Sequence, residues 1–146
     1  MYKCKYFKIE ELVSPELYNS LGEQKCWELL PEIVKQQLDA IRDEFYIYSS
    51  MGIIINNWAN GGQYKYSGVR PVDCNIGAAN SFHKKWIAFD LKASQIQNTD
   101  KLQEFMRIMA KSFNIARVEK FEHTPSWVHI EIATDQYVNE PYWFTP

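Results

Sequence analysis

The 146-residue chain predicts an α+β domain in which helices pack against a small, mostly antiparallel sheet. Three observations carry this expectation. Two segments with helical apolar spacing come before any strand signal. Two later segments, around residues 86–91 and 127–132, alternate apolar and polar residues with a period of two. A single helix-period segment separates them. Helices followed by strands with one helical interruption suit α+β architecture better than a regular βα alternation.

Taken in order, a first helix is expected over residues 8–21, with Ser14-Pro15 capping or restarting it and Gly22 ending it. A second helix follows Pro31, where Ile33, Val34, Leu38, Ile41 and Phe45 recur at helical spacing. Glu32, Lys35, Asp39 and Asp43 lie elsewhere on its wheel. Residues 52–58 read as a strand closed by the turn signal Asn60-Gly61-Gly62. Residues 63–82 form a long loop rich in glycine and polar groups, of a length that commonly carries function. After the strand at 86–91, Asn98-Thr99-Asp100 is expected to cap a third helix over residues 100–113, with Leu102, Phe105, Met106 and Met109 on its apolar face. Strands at 115–121 and 127–132 are joined by Glu122-His123-Thr124-Pro125, and the aromatic tail 137–146 is expected to pack back over the domain.

No repeat or linker divides residues 1–146, which suit one domain. At 46% apolar and 23% charged, the composition is that of a globular chain. The formal net charge of -2 offers no electrostatic basis for binding nucleic acid. No apolar run approaches the roughly 20 residues of a membrane span. Cys4, Cys26 and Cys74 are an odd set without a CxxC pair, which argues against a disulfide framework or a cysteine zinc knuckle. Five Trp and nine Tyr exceed what a small core needs, so several are expected to line a groove or surface.

The two alternating segments hold the main clue. Ile87, Phe89 and Leu91 form one face of the first, and Trp86, Ala88 and Asp90 the other. In the second, Val128, Ile130 and Ile132 alternate with Trp127, His129 and Glu131. A carboxylate and an imidazole beside a hydrophobic core need partners, because burying either alone is costly. With His83 they make a three-donor set suited to zinc, leaving a fourth position for water. Such donors must converge within a few ångströms. His83 therefore belongs on a loop bent at Lys84-Lys85, and His129 on a strand beside Asp90.

These residues resemble the Hedgehog/D-alanyl-D-alanine-peptidase superfamily of zinc peptidases, especially phage and bacterial members that cut peptidoglycan stem peptides. The resemblance is carried by Ser67-Gly68-Val69-Arg70, Ser81-x-His83, Ala88-x-Asp90 and Trp127-Val128-His129-Ile130-Glu131, with the early Tyr6-Phe7-Lys8-Ile9-x-Glu11-Leu12 also similar. It spans nearly the whole chain, and the order of the pieces with the seven-residue His-to-Asp gap gives it specificity. It implies that His83, Asp90 and His129 bind Zn2+ and that Arg70 contacts substrate near the scissile bond. It also implies hydrolysis of short cell-wall peptides by metal-activated water, of the DD-carboxypeptidase or endopeptidase type.

Two positions depart from the family pattern. Trp86 stands where the family has Gly, and Ser126 stands three residues before His129, where many relatives carry an acid. The general base is therefore expected from the turn, as Glu122 or His123, with Glu131 as a further candidate or as a partner of His129. The same departures define the alternative, a zinc-bearing module of a phage particle without turnover. The N-terminal segment lacks the apolar stretch of a secretion signal. Under this resemblance the protein is expected to be made in a bacterial cytoplasm and to act at the wall after release or within a virion.

Overall fold

A computed structural model describes all of residues 1–146. Three helices, α1 (Pro15–Leu29), α2 (Glu32–Ser49) and α3 (Thr99–Met109), accompany five strands: β1 (Ile53–Ile54), β2 (Ala88–Ala93), β3 (Ile115–Glu119), β4 (Val128–Ile132) and β5 (Tyr142–Phe144). The strands form one sheet in the order β1-β2-β4-β3-β5. Every neighbouring pair is antiparallel except β3–β5, which is parallel. This is the α+β class expected from the sequence.

The alternation of β2 and β4 sorts their side chains between two faces. Phe89, Leu91, Val128, Ile130 and Ile132 are buried in one core with Val118 of β3, with Leu38, Ile41 and Phe45 of α2, and with Leu102, Phe105 and Met106 of α3. Burying each such side chain contributes roughly 1.5–3 kcal/mol, so this apolar face fixes the register of the sheet. The opposite face carries Asp90, His129 and Glu131.

Several boundaries differ from expectation. The segment expected to be one helix over residues 8–21 is a 3-10 turn, Ile9–Glu11, followed by α1. Ser14 caps α1 by accepting a hydrogen bond from the Leu17 amide at 3.2 Å. Gly22 does end the first of the two helical stretches that α1 comprises. At φ 81° and ψ 163° the glycine leaves helical geometry, and a second helical stretch follows it, with Cys26 and Trp27 buried in the core. Asn98 does not cap α3 with its side chain, which donates instead to Gln95 Oε1 at 2.9 Å.

The strand expected over residues 52–58 narrows to Ile53–Ile54, opposite Ala93 and Lys92. Beyond it the chain turns to the N-terminal segment. The Asn56 amide donates to Glu11 O at 3.0 Å, while its side chain donates to Val13 O and accepts from the Ser67 amide, both at 2.9 Å. The aromatic tail does return over the domain, and its Tyr142–Phe144 stretch is the edge strand beside β3.

Trp86 is displaced from its expected place on the Asp90 strand face. It closes the 3-10 turn Phe82–Lys85 at φ 68° and ψ 21°, and β2 begins only at Ala88. That left-handed conformation favours glycine over a side chain as large as tryptophan.

Candidate metal centre

Three separate elements bring the donors together. Asp90 of β2 lies directly across from His129 of β4 in the antiparallel register. His83 enters from the Phe82–Lys85 turn, where Ser81 Oγ accepts from the His83 amide at 3.2 Å. The Lys84-Lys85 bend is thus part of the turn that aims the histidine. One oxygen, Asp90 Oδ1, stands 2.8 Å from His129 Nδ1 and 3.4 Å from His83 Nε2. All three donor atoms lie within 4.8 Å of one another. Tetrahedral zinc with bonds near 2.1 Å sets its donors roughly 3.4 Å apart, so adjustments on the order of an ångström suffice. The residues fit the ion.

The outer nitrogens of both histidines are oriented for this role. His83 Nδ1 lies 2.9 Å from Gly68 O, which as an acceptor places the proton on Nδ1 and leaves Nε2 free as a donor atom. His129 Nε2 lies 3.5 Å from Glu131 Oε1, leaving Nδ1 toward Asp90. Glu131 is itself held by Arg117, whose Nε lies 2.9 Å from Glu131 Oε2, at an angle that falls short of hydrogen-bond alignment. A bulge between Ile115 and Arg117 shifts β3 by one residue and sets Arg117 opposite Glu131. Glu131 therefore positions His129, one of the two roles open to it from the sequence.

Arg70 reaches the site, but its guanidinium is already engaged. Nε donates to Tyr66 O at 2.7 Å, Nη1 to Ile76 O at 3.2 Å, and Nη2 to Asp90 Oδ2 at 3.5 Å. It steadies the second oxygen of Asp90 while Oδ1 faces the histidines. Glu122 and His123 lie in the turn before β4 and face each other, His123 Nε2 being 3.7 Å from Glu122 Oε1. The Glu122 side chain is 71% exposed, and neither residue bonds to the three donors. Gln103 of α3 anchors that turn by donating to Thr124 O at 2.9 Å.

Two residues at the site were missed from the sequence. Glu119 ends β3, and one step beyond the Val118–Ile130 pair the register sets it opposite His129. Asp90, His129 and Glu119 thus form one row across β2, β4 and β3. Burial raises the Glu119 carboxyl above its ordinary pKa, partly offset by the nearby His129. Lys92 follows Asp90 by two positions and so shares its face, yet it is only 2% exposed. Burial lowers its pKa to about 8. Period-two alternation from Asp90 marks position 92 as pointing to the site, a signal available in the sequence. Glu119 had no such signal, because the bulge that sets its register is not legible there.

Charge coupling in this cluster predicts a pH-dependent stability for protein stripped of metal. Burial alone would lower the His129 pKa, but Asp90 and Glu131 outweigh it and bring it up to about 9. Burial pushes the Asp90 carboxyl up, and the two histidines more than reverse this, holding it well below the usual range. The His129 contribution is complete below the ordinary histidine pKa near 6.5 and is lost as pH rises through about 9. The Asp90 contribution is present above about 3.9 and is lost only in strong acid. Chelator-treated protein should therefore lose stability between about pH 6.5 and 9, by on the order of 3 kcal/mol at most. Urea melts across that window test this, and a flat profile would refute the His129–Asp90 pairing.

Fold and site together define an α+β domain with a His-Asp-His group able to hold a metal ion. No family model, curated protein or solved structure matches the chain. No helix is long and apolar enough to cross a membrane.

Proposed function

We propose that this domain is a zinc-dependent hydrolase of peptidoglycan stem-peptide bonds, as the resemblance to the Hedgehog/D-alanyl-D-alanine-peptidase superfamily implies. The convergence of His83, Asp90 and His129 beside an open cleft carries the reading. His83, Asp90 and His129 would hold a zinc ion, which when bound would supply Lewis acidity to activate water and polarise a substrate carbonyl. Gly68 and Glu131 keep the two imidazoles aimed, and Arg70 keeps Asp90 from turning away. The proton released by the attacking water goes to a carboxylate oxygen of Glu119, chosen because the strand register sets it beside His129. Glu122 and His123, the candidates from sequence, remain the competing acceptors. The setting proposed is the bacterial cell wall, reached after release from the cell or as part of a virion.

The second reading, a zinc-bearing binding module without turnover, is favoured by Ser126. This residue lines the cleft with a hydroxyl that cannot serve as an acid or base at neutral pH.

Metal content and release of amines from purified peptidoglycan separate the readings. One zinc per chain with chelator-sensitive amine release is expected, and Glu119→Gln should lower release about 100-fold or more while retaining zinc. If Glu122→Gln or His123→Ala produces that loss instead, the proton acceptor is in the turn. Zinc without amine release would favour the binding module.

A further inference from the structure

We propose that Arg117 is a positioning residue of the metal centre, held by the rings of Phe144 and Phe82 so that it fixes Glu131 and, through Glu131, the ring of His129. The inference rests on reading His83, Asp90 and His129 as a metal-binding group, and it makes the docking of β5 a part of metal affinity.

Strand register gathers the participants on one face of the sheet. Arg117 pairs with Glu131 of β4 on one side and with Tyr142 of β5 on the other. Two residues further on, Phe144 stands opposite Glu119, at the end of the row that runs from Asp90 through His129. Phe144 is buried, and its ring meets that of His129 edge-on, with 5.8 Å between centres and 79° between planes. The guanidinium carbon of Arg117 lies 3.9 Å from the centre of the Phe144 ring and 5.5 Å from that of Phe82, the residue before His83. Arg117 thus joins the elements that carry the two histidines.

The chemistry of the contact calls for a guanidinium. Glu131 is only 4% exposed, and a buried carboxylate needs a counter-charge. Apart from His129, which a metal would claim, Arg117 is the one cation within ion-pair distance of it. A guanidinium is also flat, so the rings that attract it set its plane as well as its place. Arg117 Nε and Glu131 Oε2 are both buried, stand 2.9 Å apart, and have no other hydrogen-bond partner. Leaving such a pair unaligned is costly, so Glu131 is drawn to Arg117 with one oxygen and keeps the other toward His129 Nε2.

The test measures zinc affinity by competition with a chromophoric chelator, and the visible spectrum of the cobalt(II)-loaded protein, whose bands report the geometry around the ion. Arg117→Gln should weaken zinc binding about tenfold and shift the cobalt bands. In a Glu131→Gln background the same change should cost nothing further, because its effect passes through Glu131. Arg117→Lys keeps the charge without the flat stacking surface and should restore only part of the affinity. Phe144→Leu should weaken zinc binding about threefold, and this loss too should vanish once Glu131 is replaced. If Arg117→Gln does not fold, Arg117→Lys and Phe144→Leu decide. Unchanged zinc affinity in folded Arg117→Gln protein, or losses that multiply with that of Glu131→Gln, overturns the positioning role. Full affinity in both Arg117→Lys and Phe144→Leu overturns the grip of the rings. The expected affinity losses without any peptide hydrolysis by the unaltered protein uphold the positioning role and remove the peptidase reading. Peptide hydrolysis together with unchanged zinc affinity in Arg117→Gln protein overturns the positioning role and leaves the peptidase reading standing.

Discussion

Asp90→Asn is expected to abolish stoichiometric zinc binding, weakening affinity by more than about 100-fold. Changes to groups that merely orient metal ligands cost 10–100-fold, and Asp90 belongs to the group that would hold the ion itself. Its Oδ1 is the atom common to both histidines, 2.8 Å from His129 Nδ1 and 3.4 Å from His83 Nε2. Asparagine keeps the shape but removes the charge, and offers an amide nitrogen that cannot ligate or accept. Arg70 Nη2, now 3.5 Å from Asp90 Oδ2, would also lose its charged partner. Glu131→Gln supplies the contrast. Of the three candidate donors it meets only His129, at the outer nitrogen, so a 10–100-fold loss is expected with one-to-one binding retained. Zinc titration by calorimetry, with circular dichroism to verify folding, measures both. Unchanged affinity in folded Asp90→Asn would remove the aspartate from the donor set.

Gly68→Ala should be among the most damaging single changes to this chain. A Cβ on Gly68 would stand 2.1 Å from Leu12 O and 2.7 Å from Leu12 C, both backbone atoms that cannot rotate away. The N-terminal segment and the 67–70 stretch are stitched at this point, with the Val69 amide donating to Leu12 O at 2.8 Å and the Ser14 amide to Val69 O at 3.0 Å. Gly68 O also accepts from His83 Nδ1. Moving the backbone to admit a methyl group thus breaks the bridge and releases the His83 side chain from its acceptor. A loss of roughly 3–4 kcal/mol is expected, together with weakened zinc binding. Gly61→Ala is the control, because a Cβ there meets open space and the cost is limited to its φ of 84°. About 1–2 kcal/mol and unaltered zinc affinity are expected for it. Urea unfolding of both variants gives the comparison, and a Gly68→Ala cost no larger than that of Gly61→Ala would refute the account.

The sequence alone determined the class of fold, the three long helical segments in outline, and the pairing of an apolar face with a polar one in β2 and β4. It also singled out His83, Asp90 and His129, which the fold brings together as a group able to hold a metal ion. These are consequences of local periodicity and of the cost of isolated buried charge, both of which are written along the chain. Only the tertiary structure decided what surrounds the donors. The left-handed turn at Trp86 and the bulge before Arg117 are conformations that non-local packing imposes against or without local preference. Glu119 reaches the His129 row through that bulge, and Glu131 meets Arg117 through it as well. Arg70 spends its fork on two backbone carbonyls and Asp90, which residue type cannot foretell. Lys92, an ordinary surface residue by composition, is buried because the 63–82 loop closes over β2, a contact between segments too far apart in sequence for any local pattern to encode.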